Sequence, residues 1–330
     1  MQILGSLRLL EKFSESLFWE TCWEIAKNER CFGLLNVLAH LLLRLPKDHR
    51  DQVRPLIDHI NQRGQNEEFG EHVRESTIVF YIRMWLFSGD PEATKQIDRV
   101  LDAPVANRLE LRTIVVNLGM VVSDRSGETL DSPDKNWELA ANTLSRVYKD
   151  SLAIYRKAHK RYSAIDPTTH HPIREAADIL DLIIDQIWRG LISHEDFRRL
   201  AATDLEIEEG RKYIKRFEEL ITTVTSVPIS RSAYELLGFF YYIIPCDPRQ
   251  SLLWTSELIE NAKQDQFQLD SMAAKRVVGL VEVFLADHKD VFAHDLDAQA
   301  ALISILGTFV ESGWANAQAL IVRLDEVFRG

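Results

Sequence analysis

The stretch Cys31-Phe-Gly-Leu-Leu-Asn-Val-Leu-Ala-His-Leu-Leu-Leu-Arg44 decides the fold class. Phe32, Leu34, Leu35, Leu38, Leu41, Leu42 and Leu45 recur at helical spacing and leave little polar face, the pattern of a helix buried between neighbours. Outward from it the same grammar continues. Residues 70–88 place Val73, Ile78, Val79, Tyr81, Ile82, Trp85 and Leu86 around most of a helix. Residues 92–102 instead keep Ile97, Val100 and Leu101 on one side and Glu92, Lys95 and Arg99 on the other. Buried and amphipathic helices alternate, strict period-two alternation is hard to find, and an all-α fold follows.

Punctuation agrees. The 330 residues include 14 Gly and 10 Pro, about 7 % turn formers against roughly 12 % in an average soluble protein. Pro91 follows Asp90, Pro133 follows Ser132, Pro172 follows His171 and Pro248 follows Asp247, each a helix-initiating arrangement. From Pro46 through Pro91 and Pro133 to Pro172 the intervals are 45, 42 and 39 residues. That matches the period of two-helix repeats of the HEAT and armadillo type, and predicts an irregular solenoid of antiparallel helical hairpins, with a globular helical bundle as the alternative. Two polar, turn-rich stretches, 124–133 and 163–172, flank a long helix predicted over 134–162. The expected organisation is an N-terminal array over 1–123, the bridging helix 134–162, and a C-terminal acidic array over 172–330. A weaker break is expected at 203–210.

Composition excludes several classes. A 46 % hydrophobic chain with mixed charge buries a core and is not disordered. Three scattered cysteines, Cys22, Cys31 and Cys246, make no disulfide scaffold, and Cys22 and Cys31 read as small core residues. The net charge of -11 is unevenly spread: residues 1–165 hold 23 basic and 23 acidic side chains, and residues 166–330 hold 16 and 27. That field repels nucleic acid and anionic lipid on average. No run of 18 apolar residues is present, and the start MQILGSLRLLEKF lacks the features of a secretion signal, so a cytoplasmic protein without membrane contact is expected.

Catalytic grammar is sparse. Phosphate-loop, dinucleotide, nucleophile-elbow and C-x-x-C motifs are absent, so no cofactor is expected. His49 and His59 among Asp48, Asp51 and Asp58 are ten residues apart on a segment that Pro55 should disturb, and they read as solvated surface histidines rather than metal ligands. The pair His294-Asp295 matches the core of HD-type phosphohydrolases, but only His288 lies nearby to extend it. Arginine followed five residues on by histidine occurs at Arg44 and His49, Arg54 and His59, and Arg189 and His194. The spacing resembles the R-x4-H motif of HEPN ribonucleases, and Arg189 with His194 is the one pair that no proline interrupts. Against the acidic mean field, residues 146–174 contain a basic helix. Arg156, Lys157, Lys160 and Arg161 accompany Tyr148, Tyr155 and Tyr162, which share one face at heptad spacing. Such a helix could track a phosphate backbone, or its tyrosines could be a core seam and its cations the solvated side. Residues 234–246 form the most aromatic stretch and read as a central core helix.

Three C-terminal stretches carry a resemblance. Asp247-Pro248 opens a helix with Leu252, Leu253 and Trp254; residues 267–287 follow; then Gly313-Trp314 and Leu324-Asp325-Glu326 punctuate the end. Residues 247–329 resemble the C-terminal helical-repeat region of large bacterial STAND or NACHT-like ATP-binding proteins, several of which act in phage defence. The resemblance implies a recognition or sensor array without the nucleotide-binding module, and carries over no catalytic residue. The expected function is therefore a non-catalytic scaffold that binds protein, with Tyr155, Arg156, Lys157, Lys160, Arg161 and Tyr162 as its binding residues. The contrasting readings are a HEPN-like ribonuclease using Arg189 and His194, and a nucleic-acid-binding module using 146–174. Whether copies of the chain self-associate is left open.

Overall fold

The computed structural model describes residues 2–45, 49–66, 70–123, 135–162, 176, 178–184, 204–225, 230–264 and 271–311; among them every regular element is helical and none is a strand. Contacts divide the chain into two units, Met1–Asn117 and Leu118–Gly330.

The first unit holds α1 (Gln2–Phe13), α2 (Glu15–Asn28), α3 (Phe32–Leu42), α4 (Arg50–Asn66), α5 (Glu71–Ser88), α6 (Pro91–Asp102) and the start of α7 (Arg108–Ser123). The leucine-rich stretch becomes α3, burying Leu35, Leu38, Ala39, Leu41 and Leu42. Helix α5 is buried on most of its circumference, whereas α6 buries only Ala93, Ile97, Val100 and Leu101. The difference follows from packing. Helix α5 touches α3, α4 and α6, so little of it is left for water.

Helices contact both the next element and the next but one: α2 meets α3 and α4, and α3 meets α4 and α5. Polar side chains mark the second kind of contact. Arg63 Nη1 donates to the Ala26 carbonyl at 2.8 Å, Arg83 Nη1 to the Leu43 carbonyl at 3.0 Å, and Arg74 Nε to Glu110 at 2.7 Å. Arg54 grips Asp90 through two nitrogens at 2.6 and 3.2 Å, Ser76 donates to Asn36, and Thr113 reaches Glu75. In all six pairs the partners lie 36 to 40 residues apart. That offset is one helical hairpin of chain, and it is close to the proline intervals in the sequence. Arg63 and Arg83 also satisfy carbonyls at the C-terminal ends of α2 and α3, which have no intrahelical partner.

The connector from α5 to α6 shows how the local sequence sets the turn. Gly89 adopts φ 60°, a left-handed conformation that favours glycine; its N–H donates to the Trp85 carbonyl at 3.2 Å and the Asp90 N–H to the Met84 carbonyl at 3.3 Å. Asp90 then caps α6, accepting from the N–H groups of Glu92 and Ala93, and Pro91 is the first helical residue. Two expectations need correction. Helix α4 runs through Pro55, its sixth residue, and gives up there the one intrahelical bond that the missing N–H would make. Cys31 is exposed at the head of α3 and is not a core residue, whereas Cys22 is fully buried and its thiol is pushed up to about 12 by burial first and Glu11 second.

The second unit holds α8 (Lys135–Tyr162), α9 (Asp204–Thr225), α10 (Ser230–Ile243), α11 (Pro248–Gln264), α12 (Ser271–Asp287), the short α13 (Lys289–Ala293) and α14 (Leu296–Glu311). Its described core is aromatic. Tyr213 and Phe217 lie 4.3 Å apart between ring centroids. Phe240 stacks on Trp254, and the Trp254 indole donates to Thr222 at 3.2 Å. Tyr148 is fully buried and donates to the Val224 carbonyl at 3.0 Å, joining α8 to α9. Helix α10 carries Leu236, Leu237, Phe239 and Phe240 into this core. The break read at 203–210 is helical from Asp204 onward, with exposed Glu208 paired to Arg211.

Candidate protein-interaction surface

Helix α14 is apolar on two opposite faces. Asp295 starts it, accepting from the N–H groups of Asp297 and Ala298 at 2.9 and 3.0 Å. Arg249 of α11 holds both Asp295 and Asp297. Its guanidinium, with the Ala298 N–H second, keeps the Asp295 carboxyl below the usual carboxylate range. From that fixed start the inner face turns Ala298, Ala301, Leu302, Ile305, Leu306 and Phe309 into the core, where α14 packs on α11.

The outer face is the unusual one. Leu296, Ala300, Ile303, Gly307 and Val310 are all exposed, Leu296 at 79 %, Ile303 at 68 % and Val310 at 45 %. Their spacing of four, three, four and three residues is that of alternating d and a positions of a heptad, the seam by which one helix packs on another. Large residues occupy the d positions and small ones the a positions. A Cβ added at Gly307 would meet nothing within 4 Å. A helix that is apolar all round belongs inside a structure, and burying one Leu or Ile side chain is worth about 1.5–3 kcal/mol. The exposed seam is thus a surface with a large driving force for being covered.

Its flank is acidic. Asp297, Ser304 and Glu311 follow the seam at the e positions, and Ser304 donates to Glu260 of α11. Neighbouring Glu257 is pushed up by burial and by Glu260. Helix α14 itself contains no lysine or arginine.

A concave feature of the first unit is a cavity of about 330 Å³ lined by Leu43, Leu45, Arg50, Val53, Phe80, Arg83, Met84 and Phe87. Its two arginines serve helix ends: Arg83 donates to the Leu43 carbonyl and Arg50 to the Ser88 hydroxyl at 3.3 Å. Phe87, 62 % exposed, stands at its rim.

Of the residues selected from the sequence, Tyr155 is half-buried and Lys157 exposed on α8. The side chains of Arg156, Lys160, Arg161 and Tyr162, all of Arg189 and His194, the 124–133 and 163–172 stretches, and Gly313-Trp314 and Leu324-Asp325-Glu326 lie outside the described residues. His49 and His59 are not solvated surface side chains. Their rings stand 5.7 Å from Trp19 and 5.9 Å from Trp23, because α2 lays its tryptophans over α4. His49 Nδ1 is 3.6 Å from Glu15, while His59 Nε2 is buried with no hydrogen-bond partner. Arg54, five residues before His59, is committed to Asp90. Asp295 of the His294-Asp295 pair is a helix cap. Among the described residues no cluster of His, Cys, Asp and Glu is arranged to hold a metal, and no helix is long and apolar enough to cross a membrane.

No family model, curated protein or solved structure matches the chain.

The α14 seam was not among the residues selected from the sequence. Its signal was present as two interleaved periodicities, 298/302/305/309 and 296/300/303/307/310, which together read as one fully buried helix.

Proposed function

We propose that the chain is a non-catalytic helical-repeat scaffold that recognises another protein, an irregular HEAT-like solenoid serving as a sensor or regulatory part of a larger ATPase-type assembly. The recognition reading is carried by one observation, the exposed heptad seam on α14. The solenoid reading is supported by the contacts of α1, α2 and α3 with the next helix but one, and by six hydrogen-bonded pairs 36 to 40 residues apart in the first unit. In the second unit Trp254–Thr222 and Arg276–Tyr234 join helices next but one to each other at 32 and 42 residues, while Tyr148–Val224 spans 76. Stacked hairpins present long surfaces whose exposed side chains choose a partner. The place in an ATPase assembly rests on the resemblance of residues 247–329 alone. No described side chain favours the ribonuclease or nucleic-acid alternatives.

Ile303→Lys tests the reading. A surface position changes stability by no more than about 0.5 kcal/mol, so the variant should melt with the parent while the complex formed in the native host shrinks to the size of the chain alone. An unchanged complex would remove α14 as the recognition surface.

A further inference from the structure

The cavity of the first unit joins two chemistries in one concave space. It is walled by the end of α3 and the residues just after it, the first turn of α4 and the C-terminal half of α5. Most of the wall is apolar: Val53 and Phe80 are buried, Leu43, Leu45 and Met84 are half-buried, and Phe87 stands exposed at the rim. Among the described residues that line it, Arg50 and Arg83 alone are polar.

Those two cations are not neutralised. Each gives one N–H to an uncharged oxygen, Arg50 to the Ser88 hydroxyl and Arg83 to the Leu43 carbonyl, and a guanidinium has five to give. Neither has a carboxylate partner among the described residues. Asp90, two residues beyond Ser88, is held by Arg54 through two nitrogens. Leu43 caps α3 and Ser88 ends α5. A helix C-terminus carries about half a negative charge, so the two arginines outweigh the two ends by about one unit. Exposed Arg44, next to Leu43 in the chain, adds a further cation without an ion pair among the described residues.

This combination selects a ligand. An inorganic anion would leave the apolar wall and Phe87 uncovered, and a neutral hydrocarbon would desolvate the guanidinium groups without a counter-charge. The volume of about 330 Å³ stands at the small end of the roughly 300–1,000 Å³ of ligand pockets, and at roughly 30 Å³ per water-sized group it holds about ten heavy atoms. A two-chain membrane lipid is too large for it. We propose that the cavity binds a small single-chain amphiphile with an anionic head, of the class of a medium-chain carboxylate, its tail against Val53, Phe80 and Phe87 and its head at Arg50 or Arg83. The site is independent of the α14 reading and stands or falls without it.

The probe is octanoate, a carboxylate of that size, titrated into the full chain at neutral pH and followed by calorimetry. Octan-1-ol is its neutral twin and butanoate its short one. Octanoate should saturate one site with a Kd below about 1 mM, as expected of a ligand of about ten heavy atoms. It should bind at least about tenfold more tightly than octan-1-ol, and at least about thirtyfold more tightly than butanoate, which lacks four methylenes. Replacing both arginines, Arg50→Gln with Arg83→Gln, should reduce octanoate to the level of the alcohol. Val53→Phe, which fills the cavity and changes no charge, should abolish binding without lowering the melting temperature. If that variant melts early, Leu45→Phe fills the same space from a half-buried wall and is judged by the same outcome. Equal affinity for octanoate and octan-1-ol overturns the proposal, as does the absence of octanoate binding below about 1 mM. Binding that survives the filled cavity overturns it too, because the ligand would then lie elsewhere. Co-sedimentation of the chain with anionic phospholipid vesicles that is lost with the double arginine replacement would give the arginines to a membrane surface, and also overturns it.

Discussion

Glu110 is only 1 % exposed, yet it is a carboxylate. It is tolerated because Arg74 Nε meets it at 2.7 Å while the same guanidinium donates to the Gly64 carbonyl at 2.8 Å. Truncating one partner of a buried pair leaves the other charge stranded, at a cost of about 3–5 kcal/mol. Glu110→Ala should therefore lower the urea midpoint by the equivalent of that loss, and a loss below about 1 kcal/mol would show that the pair is not desolvated. Gly64 and Gly70 are part of the same corner. A Cβ on Gly70 would collide with the Gly64 carbonyl oxygen, so the close approach of α4 and α5 there requires glycine. At this scale the sequence is least informative. Nothing in the local pattern says that Glu110 is inside, that Cys31 is outside, or that His59 faces Trp23, because each depends on a residue from another helix.

Helices and their ends were far more legible. Asp90-Pro91 and Asp247-Pro248 both open helices, and Asp247 accepts from the Gln250 N–H at 3.0 Å, since capping uses only the chain's own neighbours. Pro55 and residues 204–210 lie inside helices because helix packing overrides weak local signals. Asp90 does two jobs, capping α6 and binding Arg54 of α4. Asp90→Ala should cost about 1–2 kcal/mol, and Asp90→Asn, which keeps a capping oxygen, much less of it. The Ala93 N–H, with Arg54 helping, holds the Asp90 carboxyl below the usual carboxylate range. Its stabilisation is therefore full above the ordinary aspartate value of about 3.9 and disappears as pH falls through the lowered one. Thermal unfolding followed down to acid pH should show the gap between the parent and Asp90→Ala closing there. A gap that widened on acidification would contradict the assignment.

For the molecule as a whole, the proline intervals are 45, 42 and 39 residues, and six hydrogen-bonded pairs of the first unit lie 36 to 40 residues apart. Of these four prolines Pro91 lies among the described residues, where it is the first residue of α6. The α14 surface was not legible in the sequence, since an apolar residue gives no sign of which neighbour covers it; only the packing of α11 on the opposite face leaves Leu296, Ile303 and Val310 outward. The central claim is that this outward face meets another protein. It is tested most directly by a photoreactive residue placed at 303 and, as control, at exposed Lys95 of α6, with cross-linking in the native host. The account predicts one defined adduct from position 303 and none from 95. Equal labelling from both positions, or none from 303, would contradict it.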